Sequence, residues 1–184
     1  MQPPYRLHRR VSQSKPKSGE RMDASKKSDF TAKRITRSYR QTINAPPDIV
    51  FPLLCPVRET EWLDGWIYEM IYSGSGLAEE GCVFSTPGDG EEDTVWVISR
   101  YDKKKCFIQF TRFTPVSRIC VLKIIVTSKV EKTSNVDISY TYTGITEAGN
   151  TWIENFTESA FLNAVKFWER SMNHFLETGE RLSR

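Results

Sequence analysis

Apolar and polar residues alternate over residues 35–44, with Ile35, Arg37, Tyr39, Gln41 and Ile43 on one side of an extended chain. This is the period of a strand with one buried face. Asn44-Ala45-Pro46-Pro47-Asp48 stops it. Proline is tolerated in a first helical turn, so residues 49–54 read as a short helix, kept short by Pro52 and Pro56, and residues 57–63 as a second. From Trp66 the period returns to two. Residues 66–72, 82–86, 94–101, 105–113, 118–130 and 136–144 are six further strands. Turn residues separate them at 73–76, 87–90, 102–104, 115 and 132–135. Links this short make hairpins, hence an antiparallel meander rather than βαβ units. Leu122, Ile124 and Val126 share one face, as do Val136, Ile138, Tyr140 and Tyr142, with polar residues between them.

The period then changes to that of a helix over residues 151–178. At 100° per residue, Ile153, Phe156, Ala160, Phe161, Ala164, Val165, Phe167, Trp168, Met172 and Phe175 fall in one arc about 180° wide. Asn150 or Thr151 suits the N-cap and Gly179 the C-cap. So wide an apolar face calls for a concave partner. The pattern predicts an α+β domain over residues 35–179, a curved antiparallel sheet closed over a long C-terminal helix.

Charge divides the chain. Residues 1–40 carry 12 Lys/Arg against 3 Asp/Glu, and the remainder 14 against 20. Residues 1–34 form a basic tail, and 1–27 are too poor in large apolar residues to offset the entropy of ordering. That stretch is read as disordered. An alternative start at Met22, an Arg- and Ser-rich transit peptide, and a basic arm for nucleic acid or anionic lipid all fit its composition. The acidic body, and aromatics that are not interleaved with the charges, argue against nucleic acid. Cys55, Cys82, Cys106 and Cys120 have no metal-ligand spacing, and with only His8 and His174 beside them no metal or other cofactor is expected. Cysteines in apolar stretches behave as small hydrophobes and suit a reducing compartment. No apolar run reaches the ~20 residues of a membrane span. A cytoplasmic location is expected, with the oligomeric state left open.

Residues 39–54 (Tyr-Arg-Gln-Thr-Ile-Asn-Ala-Pro-Pro-Asp-Ile-Val-Phe-Pro-Leu-Leu) resemble the opening of the START/Bet v 1-like superfamily, also called SRPBCC or polyketide cyclase/dehydrase-like proteins. There a strand is followed by "A-P-x-x-hydrophobic-F" and a short helix. Trp62-Leu-Asp-Gly-Trp66 resembles the family's next segment, and the terminal helix fits too. The resemblance implies the helix-grip fold: a seven-stranded curved antiparallel sheet around a long C-terminal helix, with two short helices after strand 1. It also implies a pocket between sheet and helix.

Expected at that pocket are Trp62, Trp66, Tyr68, Phe84, Trp96, Phe110, Arg112, Tyr140, Tyr142, Phe161 and Trp168. Each aromatic also suits a plain core role. Together, so many rings with polar tips suit a partly hydrated pocket. Arg112 follows Cys106, Ile108 and Phe110 on the inward face, where it can anchor an acidic head group or bend out to solvent. Arg100 shares a face with Trp96 and Ile98 and poses the same choice. Glu61 and Asp64 beside Trp62 are candidate general bases or surface carboxylates. His174 is a candidate acid/base or a half-exposed residue at a helix end. The acidic stretch 87–93 lacks calcium-loop spacing and reads as a solvated hairpin tip. No GxSxG, HExxH or phosphate-cradling loop is present. Three functions follow. The first is a binding or carrier module for a small hydrophobic, aromatic or lipid-like ligand. The second is a cyclase/dehydrase-type enzyme on a polyketide-like substrate. The third is an interaction domain resembling Hsp90-activator co-chaperones.

Overall fold

The computed structural model describes residues 29–88, 93–130 and 132–183. The basic stretch 1–28 and most of the acidic tip lie outside these. Strand β1 (Arg34–Ile43) is followed by α1 (Pro47–Val50), a 3-10 turn (Phe51–Leu54) and α2 (Pro56–Trp62). Each of these short segments has a proline in its first two positions. A proline supplies no N–H and restarts a helix where it would otherwise continue, so the chain makes three short turns of structure instead of one rod.

Strands β2 (Glu69–Tyr72), β3 (Val83–Thr86), β4 (Thr94–Asp102), β5 (Phe107–Thr114), β6 (Arg118–Val130) and β7 (Thr133–Gly144) follow as antiparallel hairpins. Strand β1 pairs with β7, giving the order β1-β7-β6-β5-β4-β3-β2. The seven strands are those the alternation predicts, and the first of the two expected short helices is α1 running into the 3-10 turn, the second α2.

The terminal helix differs from expectation. It is two helices, α3 (Glu147–Asn155) and α4 (Glu158–Thr178). Thr146 and Thr157, not Asn150 or Thr151, cap them by accepting hydrogen bonds from the Gly149 and Ala160 amides. Phe156 between them leaves the helical region at φ −76°, ψ 89°. A continuous apolar arc hides such a break, because both helices present apolar faces to the same sheet. At the other end Gly179 takes φ 76°, the left-handed conformation a C-cap glycine supplies.

Cross-strand register sorts the face toward α4 into rows. Ile108, Ile124 and Ile138 lie side by side at 0–1% exposure, with Val126 and Val136 beyond them. Met172 of α4 and Phe51, Leu53 and Leu54 belong to the same buried cluster. The opposite end of the sheet carries bulkier and more polar rows: Phe84, Trp96, Arg112, Cys120 and Tyr142, then Ile98, Phe110, Leu122 and Tyr140.

A seam of hydrogen bonds ties α4 to the outer edge of β1. Buried Gln41 donates through Nε2 to the Val165 carbonyl (2.7 Å). The Thr42 amide donates to Glu169 (2.7 Å), the Asn44 amide to Asn173 (2.8 Å), and Asn173 donates back to the Thr42 carbonyl (3.0 Å). An edge strand that would otherwise offer unpaired amides is thereby covered.

Truncating Gln41 to Ala removes the buried link and leaves a small void. Urea unfolding is expected to show a loss of roughly 1–3 kcal/mol, with m unchanged.

Candidate functional site

Where the two bulky rows meet the first half of α4, the interior is hollow. A cavity of ≈ 350 Å³ lies between the sheet, the C-terminal end of α2 and α4. Trp66, Phe84, Trp96, Phe110, Arg112, Tyr140, Tyr142, Phe161 and Trp168 all line it. Trp62 and Tyr68 do not. Trp62 is fully buried, donates to the Leu53 carbonyl (3.0 Å) and packs edge-on against Trp168 as a supporting residue. Tyr68 stands edge-on behind Phe84 at 6.4 Å.

The rings brace one another. Phe84 stacks on Trp96 at 5.6 Å, and Phe110 meets both edge-on at 6.3 and 6.1 Å. Across the cavity Tyr140 stacks on Tyr142 at 5.8 Å, with Phe161 edge-on to Tyr140 at 6.0 Å. The break between α3 and α4 turns Phe156 into this wall, 5.1 Å from the Tyr142 ring. Ala164 lines the cavity and is also exposed, which marks the mouth on α4.

Four titratable side chains face the void: Glu59, Arg112, Tyr140 and Tyr142. The Arg112 guanidinium lies over Trp96 at 4.9 Å and over Tyr142 at 5.6 Å, and its buried Nε has no hydrogen-bond partner. Between two rings, its charge is partly compensated while its N–H edges stay available. Glu59 is 4% exposed. Burial pushes its carboxyl up to about 8, so it is held mostly protonated at neutral pH. Burial likewise raises the Tyr140 phenol well above its usual value, with neighbouring Tyr142 and Cys120 adding to it and Arg112 opposing.

Glu59 was not among the sequence candidates, although a signal existed. It lies three residues before Trp62 on α2, hence on the same inward helix face, whereas Glu61 lies off that face. Glu61 is exposed and pairs with Arg58 (3.0 Å). Neither Asp64 nor His174 lines the cavity. Arg100 is exposed and stands over the Phe107 ring at 5.4 Å. An irregularity in the β4–β5 register explains this: Ile98 pairs with Phe110 but Arg100 with Gln109, so the extra residue turns the inward face outward. Cys55, Cys82 and Cys120 are buried and Cys106 half-buried, all as free thiols. Among the described residues no cluster could hold a metal, and no helix is long and apolar enough to cross a membrane.

No protein-family model matches the chain, and no curated protein matches it in sequence. Solved structures match it in shape. Norcoclaurine synthase from Thalictrum flavum, in complex with dopamine and hydroxybenzaldehyde, aligns with a TM-score of 0.59 at 14% identity, over 83% of this chain and 91% of that one. Ara h 8.0201 aligns with a TM-score of 0.57 at 12% identity, over 79% and 99%. DynU16, from the dynemicin biosynthetic locus, gives 0.52 at 16% identity, over 79% of this chain and 48% of that one. The protein has the Bet v 1-like helix-grip fold.

Replacing Glu59 by Gln removes the one buried acid of the cavity. Its raised value means that wild type loses stability as pH climbs from about 4.5 to about 8 and is level above that. The full effect is on the order of 5 kcal/mol. Urea midpoints at pH 5 and pH 9 should therefore diverge in wild type and converge in Glu59→Gln.

Proposed function

We propose that residues 35–179 form a binding or carrier module for a small, largely aromatic hydrophobic molecule, held between the sheet and α4. The observation that carries this reading is the ≈ 350 Å³ cavity itself. A core of this composition ordinarily closes to crystal-like density, and a hollow this large forfeits packing all along its walls. The volume sits at the low end of ligand pockets, about 300–1,000 Å³, which favours a molecule of one or two rings over a sterol or a full acyl chain. The walls suit such a guest: flat rings in braced orientations and a few polar groups. A protein of the same fold, norcoclaurine synthase, was solved with two small aromatic compounds, dopamine and hydroxybenzaldehyde. The free thiols fit a reducing compartment such as the cytoplasm.

Glu59 favours a second reading, a cyclase/dehydrase-type enzyme, because a carboxyl poised near neutral pH beside a bound substrate can transfer protons. The interaction-domain reading draws instead on the outer sheet face. There Val83, Val97 and Val121 form one cross-strand row and Val95, Phe113 and Ile119 another, all half-exposed or exposed.

Native mass spectrometry of the purified protein, compared with its denatured mass, tests the binding reading. A discrete extra mass lost on denaturation is the expected result, together with binding of polyphenol-sized members of a panel that also contains fatty acids and sterols. Plugging the mouth with Ala164→Trp should weaken that binding at least tenfold, about 1.4 kcal/mol, and leave the urea midpoint in place. A bare protein that binds nothing in the panel would shift the reading to the outer face.

A further inference from the structure

The cavity's polar groups differ in what they still lack. Two of the three tryptophan N–H groups of the lining are satisfied within the wall, Trp66 by the Pro56 carbonyl (2.8 Å) and Trp96 by the Thr86 hydroxyl (3.0 Å). Arg112 and Glu59 are not: neither forms an ion pair or side-chain hydrogen bond among the described residues, and the buried Arg112 Nε has no partner. Arginine stays charged in proteins, whereas a carboxyl can shed its charge by holding a proton. The cavity therefore combines a fixed guanidinium with a neutral acid, and its own net charge is positive.

Among the described residues no other acid lines the cavity, and Arg118, which acts on Tyr142 and Cys120, adds positive charge. On the walls opposite Glu59 the titratable groups are Arg112 of β5 and Tyr140 and Tyr142 of β7. Burial holds both phenols neutral. Helix α4 contributes Phe161, Ala164, Val165, Phe167 and Trp168 to the lining, and the 3-10 turn packed against α2 is Phe-Pro-Leu-Leu. On α2 itself Arg58 and Glu61 pair with each other on its outer side. Cys120 sits opposite Arg112 in register, with its thiol pushed up to about 11 by burial. The partner that suits such a guanidinium is an anion.

We propose that the cavity binds a small aromatic carboxylic acid as its anion, with Arg112 pairing the carboxylate. This rests on the small-molecule reading above and names the ligand's chemistry. Arg112 Cζ lies 4.9 Å from the Trp96 ring centre and 5.6 Å from that of Tyr142, and a guanidinium carries the N–H fork with which a planar carboxylate forms two parallel bonds. The Tyr140 hydroxyl, which makes no hydrogen bond to a described residue, is a further donor, and Arg112 and Glu59 both act electrostatically on it. An ammonium ligand meets the fixed charge of Arg112. An alcohol of the same shape leaves the guanidinium unpaired. Ionisation of Glu59 puts a second negative charge into the cavity and expels the anion, so affinity is coupled to that proton.

Calorimetric titration of the full chain with 2-naphthoate, 2-naphthalenemethanol and 2-naphthylmethylammonium, between pH 6 and pH 9.5, tests this. Naphthoate is expected to bind at least tenfold tighter than the alcohol below pH 8 and to weaken toward tenfold per pH unit above it. Glu59→Gln should keep the tight binding and flatten the profile. Arg112→Met should reduce naphthoate to the affinity of the alcohol and leave the alcohol unchanged. The alcohol or the ammonium compound binding as tightly as naphthoate overturns the proposal and leaves the small-molecule reading standing. So does a Glu59→Gln profile identical to wild type. Failure of all three probes to bind wild type, with no extra mass in the native spectrum, overturns both.

Discussion

The hydrogen-bonded seam between β1 and α4 sets the geometry on which the rest of the domain depends. Gln41, Glu169 and Asn173 join side chains of one element to the backbone of the other, so α4 can neither slide along the sheet edge nor sink further toward it. The same contacts satisfy the free edge of β1, which would otherwise invite pairing with another chain. With the helix held at this height, its second half packs Met172 onto the small isoleucine and valine rows. Its first half faces rows of rings and Arg112, which stand against one another rather than filling the gap. One rigid crossing thus yields a solid core at one end and a hollow at the other.

The hollow is shaped by what aromatic side chains do when crowded. Edge-to-face and stacked pairs fix the ring planes, and Trp66 and Trp96 settle their N–H groups on neighbours inside the wall. Arg112 and Glu59 stand out because their demand is unmet, and low dielectric raises the cost of that on the arginine while switching the glutamate to its neutral form. Packing the space with further apolar bulk would tighten the core and remove the cavity on which the proposed binding rests.

The period of two in the strands, the prolines after β1 and the apolar arc of the last segment were enough to determine an antiparallel sheet capped by a helix, because alternation decides which residues face the core. The inward set Ile108, Phe110, Arg112, Leu122, Ile124, Ile138, Tyr140 and Tyr142 followed from that alternation alone. Local pattern could not separate Trp62 and Tyr68, which support the wall, from Trp66 and Phe84, which form it, since burial and cavity lining leave the same mark on a sequence. Nor could it register the β4–β5 irregularity that turns Arg100 outward, or the break at Phe156, where two helices share one apolar face. Only the tertiary structure decided that α4 stands clear of the sheet at one end. It also brought Glu59, one turn ahead of Trp62, to the same cavity as Arg112, because such a meeting is fixed by the height of one helix above seven strands and by no local run of residues.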